Sequence, residues 1–194
     1  AATGDAFTFD YLSSQLRYID SRTEIVDLIV YPGAPWEGYL LTDSDIGDQR
    51  QGITKDVFQA WVDTYVPPGT TFVTWHIALE DGVFYNDIGY WQPKGEYRYY
   101  RKEHLLPFSD YTPEWLNKRG VAALPFNAES GTQNSLLQVG GYTIDTLICS
   151  EVADTRVIAP RADLVLLIGS ESFFSTDQVS FYTLLEARRQ AVTT

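Results

Sequence analysis

The thiol of Cys149 closes the apolar, β-branched run Tyr142-Thr143-Ile144-Asp145-Thr146-Leu147-Ile148, and the sequence turns polar at once with Ser150-Glu151. A buried strand ending on a small nucleophile, followed by a helix-like stretch, sets that thiol near a helix N-terminus. There the helix dipole and the free backbone N–H groups favour the thiolate, the nucleophilic form. The same placement suits a structural cysteine, since free Cys is among the most buried residue types. Glu151 also has two readings, a site carboxylate or a first-turn carboxylate that complements the dipole. Cys149 is the only cysteine, which excludes an intramolecular disulfide and a multi-cysteine zinc site. His76 and His104 are too few for a histidine-rich metal centre. His104 suits a structural role, hydrogen-bonded in its loop.

The elements that must position these groups alternate along the chain. Phe7 to Arg22 reads as an amphipathic helix with Phe9, Leu12, Leu16 and Ile19 on one face. Glu24 to Tyr31 reads as a buried strand stopped by Pro32-Gly33. Thr42 to Gly52 is a polar loop, and Thr54 to Tyr65 a second helix. Thr70 to Ile77 and Gly82 to Trp91 form strands joined by a hairpin-type turn at Glu80-Asp81-Gly82. Tyr97 to Tyr100 suits a short strand, with Tyr97, Tyr99 and Tyr100 as core and rim packing. Leu105 to Asn117 suits an ordered loop. Further strands are expected over Ala122 to Phe126, Ser135 to Val139, Tyr142 to Cys149 and Ala162 to Ile168, with a tight turn at Gly140-Gly141. Val152 to Ile158 suggests a short helix, and Thr176 to Val192 a closing helix with Leu184, Leu185 and Ala187 inward. Apolar strands mixed with helices and antiparallel turns make a layered α/β fold.

Composition narrows the classes further. A chain of 194 residues with 44 % hydrophobic residues can bury a sizeable core, and a single domain over 1–194 is the simplest organisation. The net charge of -12 argues against a nucleic-acid partner, because no basic stripe is present to neutralise phosphates. No apolar run approaches the ~20 residues of a membrane span, and no signal peptide is visible at Ala1-Ala2-Thr3-Gly4. The sequence contains no methionine, which suggests a segment of a longer protein.

Three segments together resemble the carbon–nitrogen hydrolase (nitrilase) superfamily. They are Leu28-Ile29-Val30-Tyr31-Pro32-Gly33; the stretch Tyr100-Arg101-Lys102-Glu103-His104-Leu105-Leu106-Pro107-Phe108-Ser109-Asp110-Tyr111-Thr112-Pro113; and Leu147-Ile148-Cys149-Ser150-Glu151, followed by Ala162-Asp163-Leu164-Val165-Leu166 and Phe173-Phe174. The second is most similar to the apolipoprotein N-acyltransferase branch, whose motif there reads approximately Tyr-x-Lys-x-His-Leu-Val-Pro-Phe-Gly-Glu-Tyr-x-Pro. The resemblance implies a four-layer α-β-β-α sandwich, incomplete at both ends of this chain. It also implies a cysteine nucleophile, a glutamate general base and a lysine that stabilises the tetrahedral intermediate, with no cofactor and no metal. On that basis Cys149 is the nucleophile and Lys102 the oxyanion-side cation. Glu151 matches a position where the acyltransferases carry glutamate, and Asp110 one where they carry a second, supporting glutamate. Asn86 after Tyr85 matches a family Tyr-Asn pair and reads as a buried, turn-fixing amide.

The departures shape the functional expectation. Gly33 stands where the family's general base follows the proline of the early strand, and Glu37 is the nearest substitute. A missing general base removes typically ~10²–10⁴-fold of rate. Ser150 replaces an aromatic residue after the cysteine, and Ser170-Glu171-Ser172-Phe173-Phe174 replaces an Asn-Asp-x-Trp-Phe pattern. The leading expectation is an acyltransferase that moves a fatty acyl group from a phospholipid, through a cysteine thioester, to a lipoprotein N-terminal amine. Such a domain would face the extracytoplasmic side of the cytoplasmic membrane, held there by segments absent from this chain. One alternative is a soluble, cytoplasmic amidase or nitrilase acting on a small amide or nitrile. Another is a catalytically impaired relative that serves as a binding module. Family members often associate into oligomers.

Overall fold

The computed structural model describes residues 5–22, 26–36, 39–41, 52–119, 124, 127–132, 136–153, 162–169, 185, 187 and 188. The chain divides into two compact units, residues 1–82 with 88–99, and residues 83–87 with 100–194. The element order is α1 (Asp5–Asp20), β1 (Leu28–Tyr31), β2 (Tyr39–Leu41), β3 (Gly52–Thr54), α2 (Lys55–Tyr65), β4 (Thr71–Glu80), β5 (Val83–Trp91), β6 (Arg98–Arg101), α3 (Glu114–Asn117), β7 (Leu137–Val139), β8 (Tyr142–Ile148), a 3₁₀ turn (Cys149–Ala153) and β9 (Leu164–Ile168). One sheet runs β3-β2-β4-β5-β6, with β1 also paired to β4, and a second runs β7-β8-β9.

In the first unit, β4 receives two parallel neighbours on successive stretches. β1 pairs along Thr71 to Thr74 and β2 along Ala78 and Leu79. Helix α2 starts where Thr54, in extended backbone, accepts a hydrogen bond from Val57 N, and it stops before Pro67-Pro68. Its buried Phe58 and Val62 lie four residues apart on one face, packed with Leu12 and Leu16 of α1 and with Phe72 and Trp91. Two indole nitrogens in this cluster find partners, Trp91 Nε1 donating to Thr74 Oγ1 (3.1 Å) and Trp61 Nε1 to Ser13 Oγ (3.0 Å), while buried Trp36 Nε1 has none among the described residues. At the β4–β5 turn, Asp81 (φ 51°) and Gly82 (φ 79°) both take the left-handed conformation that a tight hairpin requires.

The second unit is built around β8, antiparallel to β7 and parallel to β9. Ile144 through Ile148 are all buried, so the strand is covered on both faces, as its unbroken apolar and β-branched run predicts. Gly140 (φ 57°) and Gly141 (φ 86°) make the β7–β8 turn. The sequence places helix α1, helix α2 and strands β4 to β9 within a few residues of where they stand. It misses β2 and β3, of three residues each, and places no helix at α3. The expected closing helix lies mostly outside the described residues. Of its inward positions, Ala187 packs against Leu147 and Val152, whereas Leu185 is 43 % exposed and does not face inward. The expected polar loop over 42–52 lies outside the described residues apart from Gly52, which begins β3, and of the strand expected over 122–126 only Leu124 is described, outside any strand.

Candidate active site

Lys102 follows directly on β6, and its backbone is pinned on both sides: its N–H donates to Asn86 O (2.9 Å) and its carbonyl accepts from Gly131 N (3.0 Å). The side chain turns inward and is 1 % exposed, with Nζ donating to Asp110 Oδ2 at 2.7 Å. Asp110 Oδ2 also accepts from Leu106 N (2.7 Å), and Oδ1 accepts from Asn86 Nδ2 (2.8 Å). Burying two charges costs several kcal/mol per ion, and only close pairing with further hydrogen bonds offsets it. Asp110 has both. The tight loop that carries it is closed by hydrogen bonds from Asp110 N to Leu106 O and from Phe108 N to Tyr111 O. An ammonium held in so dry a position can stabilise a developing oxyanion far better than one in water.

Glu151 is fully buried and joins two segments of this unit. Its Oε1 accepts from Tyr100 OH (2.9 Å), Glu103 N (2.8 Å) and His104 N (3.2 Å). Its Oε2 accepts from Ile148 N (2.8 Å). One carboxylate therefore ties the residues that flank Lys102 to the residue before Cys149. Burial, and then the charge of Glu151, push the Tyr100 phenol well above its ordinary range, so it remains a donor.

Cys149 is partly exposed and takes φ 52° at the end of β8. A non-glycine residue in this region is strained and persists only where its surroundings enforce it, commonly at functional sites. Gly169, the residue after β9, supplies the room: a Cβ there would lie 3.0 Å from Cys149 Cα and 3.2 Å from its Cβ. Beside this network Arg101 Nε pairs with buried Asp87 Oδ2 (3.2 Å), and its guanidinium lies over the Tyr85 ring at 3.6 Å. Gly131 also admits this arrangement, because a Cβ there would come within 2.3 Å of Arg101 Cβ.

Of the four sequence-derived candidates, Lys102 and Asp110 are bonded directly, and Glu151 joins the chain neighbours of Lys102 to Ile148, the residue before Cys149. Cys149 opens a five-residue 3₁₀ turn, Cys149–Ala153, and the rest of the helix expected over Val152 to Ile158 lies outside the described residues. Glu151 sits within that turn, enclosed by donors. His104 is exposed and contributes its backbone N–H to Glu151. Gly33 lies in the first unit, in the bend after β1, where, among the described residues, a Cβ would meet only Tyr31 Cε1 at 3.9 Å. Glu37 and residues 170–174 lie outside the described residues. Asn86 is buried, but it bonds Asp110 and the Lys102 backbone instead of merely fixing a turn. Tyr100, filed under packing by its aromatic company, carries a site hydrogen bond. Its place two residues before Lys102 was the available signal. Gly169 and Gly131 had none. Among the described residues no group of three or more His, Cys, Asp or Glu side chains could hold a metal ion.

No family model matches the chain. In sequence it is similar to the apolipoprotein N-acyltransferase of Azotobacter vinelandii, at 29 % identity over 165 residues, 71 % of this chain and 30 % of that protein. The corresponding protein of Photobacterium profundum is 30 % identical over 134 residues, 58 % of this chain and 25 % of its own length. The chain therefore spans less than a third of these curated relatives. In structure it is similar to a nitrilase-superfamily member from Saccharomyces cerevisiae, with a TM-score of 0.66 at 12 % identity over 99 % of this chain and 68 % of that one. An amidase of the same superfamily from Nesterenkonia gives a TM-score of 0.61 at 17 % identity, covering 96 % and 67 %. The chain has the α/β fold of the nitrilase, or carbon–nitrogen hydrolase, superfamily, and its sequence resembles that superfamily's apolipoprotein N-acyltransferases.

Proposed function

We propose that this chain carries the acyl-handling site of an N-acyltransferase, with Cys149 as nucleophile and Lys102 as the cation that receives the oxyanion. The observation that carries the reading is the buried Lys102–Asp110 pair, on a segment that Glu151 ties to the residue before Cys149. In the reaction the Cys149 thiolate forms a C–S bond to the carbonyl carbon of the acyl donor. The carbonyl π electrons move to oxygen, where the Lys102 ammonium balances the charge. Collapse of that intermediate expels the leaving group, which takes up a proton from water, and leaves a thioester. A neutral amine then attacks, gives up a proton to water and forms the amide, returning the thiolate. Asp110 holds Lys102 in place, and Glu151 holds the two segments together.

The likeness to apolipoprotein N-acyltransferases favours a phospholipid acyl donor and a lipoprotein N-terminal amine as acceptor. The same likeness supports a membrane-linked parent. Among the described residues no helix is long and apolar enough to cross a membrane. A second reading, an impaired relative that binds without turning over, is favoured by Gly33, which brings no side chain to the expected base position.

The test is acylation by a p-nitrophenyl ester, whose leaving group departs without a proton, followed by intact-mass analysis and peptide mapping. An adduct on Cys149 that passes to the amine of a short peptide supports the acyltransferase. Passage to water alone supports an amidase-like hydrolase. Absence of any adduct across pH, with one restored by Gly33→Glu, supports the impaired relative. An adduct that survives Cys149→Ser sinks the assignment of the nucleophile.

A further inference from the structure

We infer that Tyr100 is a positioning residue for the thiol chemistry: through its hydrogen bond to Glu151 it holds the Lys102 segment in register with the Cys149 turn. The inference rests on the reading of Cys149 and Lys102 given above and assigns the device that keeps the two in one geometry.

The argument starts from the arrangement of donors on Glu151. Three are backbone N–H groups, from Glu103, His104 and Ile148, and one is a side chain, Tyr100 OH. The donors fall on either side of each reacting group. Tyr100 and Glu103 bracket Lys102 along the chain, while Ile148 and Glu151 itself bracket Cys149. A shift of Glu151 would therefore change the lysine segment and the thiol turn together.

Tyr100 is suited to prevent that shift. It is 1 % exposed, and its ring is rigid, with few rotamers to restrain. Burial first, and then the charges of Glu151 and Glu103, keep its proton on, against a smaller opposing hydrogen bond with the Glu103 backbone. The phenol is therefore a fixed donor to a carboxylate, and hydrogen bonds to charged groups are among the stronger ones. Cys149 adds a reason for such a restraint. Its left-handed backbone is strained and would relax if the turn were released. Packing alone does not account for the hydroxyl, since a phenylalanine would fill the same space and leave one donor fewer on a buried carboxylate.

The experiment measures the alkylation rate of Cys149 by iodoacetamide as a function of pH, read by intact mass. The proteins compared are wild type, Tyr100→Phe, Tyr100 replaced by 3-fluorotyrosine, and the double variant Lys102→Met, Asp110→Asn. That double variant removes both buried charges together and leaves no unpaired ion. Circular dichroism and a thermal midpoint establish that each is folded. Tyr100→Phe is expected to move the midpoint of the pH–rate profile upward and to slow alkylation below that midpoint by about tenfold, the size of one lost hydrogen bond to a charged group. Fluorotyrosine keeps the donor and is expected to retain the wild-type profile. A purely structural tyrosine would lower the thermal midpoint and leave the profile in place. A Tyr100→Phe profile superimposed on wild type overturns this inference alone. Acyl-adduct formation from the p-nitrophenyl ester that is as fast in the double variant as in wild type overturns the Lys102 reading and this inference with it.

Discussion

The strand end that presents Lys102 and the strand end that presents Gly33 are finished in different ways. In the second unit, each carboxylate oxygen of Asp110 and Glu151 accepts at least one hydrogen bond. The glycines at 131 and 169 stand where a methyl group would collide with Arg101 or with Cys149. In the first unit, β1 runs into Tyr31-Pro32-Gly33, and among the described residues only the Tyr31 ring edge comes into contact range of a Cβ at the glycine. A glycine forced by crowding or by a left-handed φ is a structural requirement. Among the described residues Gly33 is under neither constraint. The segment around Lys102 is held by many hydrogen bonds, whereas Gly33 itself brings no side chain that could move a proton.

The sharpest way to break this contrast is Gly33→Glu. If a base is all that the site lacks, this variant should raise the rate of amide or ester turnover by ~10²–10⁴-fold, measured with a chromogenic substrate. Little stability should be lost, because the new Cβ meets only ordinary van der Waals contact. An unchanged rate, in a variant that folds as wild type does, would mean that position 33 is not where a base acts. Next in size is Asp110→Ala, which leaves the Lys102 ammonium buried without its carboxylate. Breaking such a pair costs about 3–5 kcal/mol, readable as a lower urea midpoint. Removing both charges, as Lys102→Met with Asp110→Leu, should recover most of that stability while acyl-adduct formation on Cys149 stays low. Recovery of both would sink the electrostatic role of Lys102.

How far the sequence discloses this contrast depends on the range of the interactions involved. Lys102 to Pro113 is legible because its residue types sit at fixed local spacing, and the loop that they form is closed by its own hydrogen bonds. Helix α2 and strand β8 are legible from periodicity and from unbroken burial. Strands β2 and β3 carry three residues each, too few for any period to register. Glu151 reads equally as a helix-start carboxylate and as a site residue. The choice between them is made by donors 47 and 48 residues away in the chain. Gly169 is invisible for the same reason, since its role is to leave space for Cys149 from another strand. Gly33 is the opposite case, a position that the sequence singles out and that the described residues around it do not crowd.

A smaller perturbation probes how tightly the second unit is finished. Gly169→Ala would place a methyl group 3.0 Å from Cys149 Cα, closer than nearly all such contacts, so backbone must give by a few tenths of an ångström. A misplacement of about 1 Å can cost 10²-fold in an oriented reaction. A shift of this size is therefore expected to slow acylation of Cys149 by about tenfold with an ordinary thiol pH profile. Full activity in Gly169→Ala would show that the thiol turn tolerates slack, and the contrast with Gly33 would weaken.

The mildest effect should come from the phenol of Tyr100 in alkali. Burial and the Glu151 charge raise its pKa in the folded chain above the ordinary value of 10.0, which the unfolded chain keeps. Above that value the unfolded state releases a proton that the folded state retains, so stability is present in full below it and falls as pH rises past it. The slope approaches about 1.4 kcal/mol per pH unit. Half a unit above the unfolded value, the loss is just under ~1 kcal/mol. Tyr100→Phe has no such proton, and its urea-derived stability should fall less steeply with pH by that amount, other tyrosines contributing equally to both proteins. Parallel slopes would mean that the phenol reaches solvent and can ionise in the folded state, in which case the network around Glu151 is open and no better finished than the strand end at Gly33.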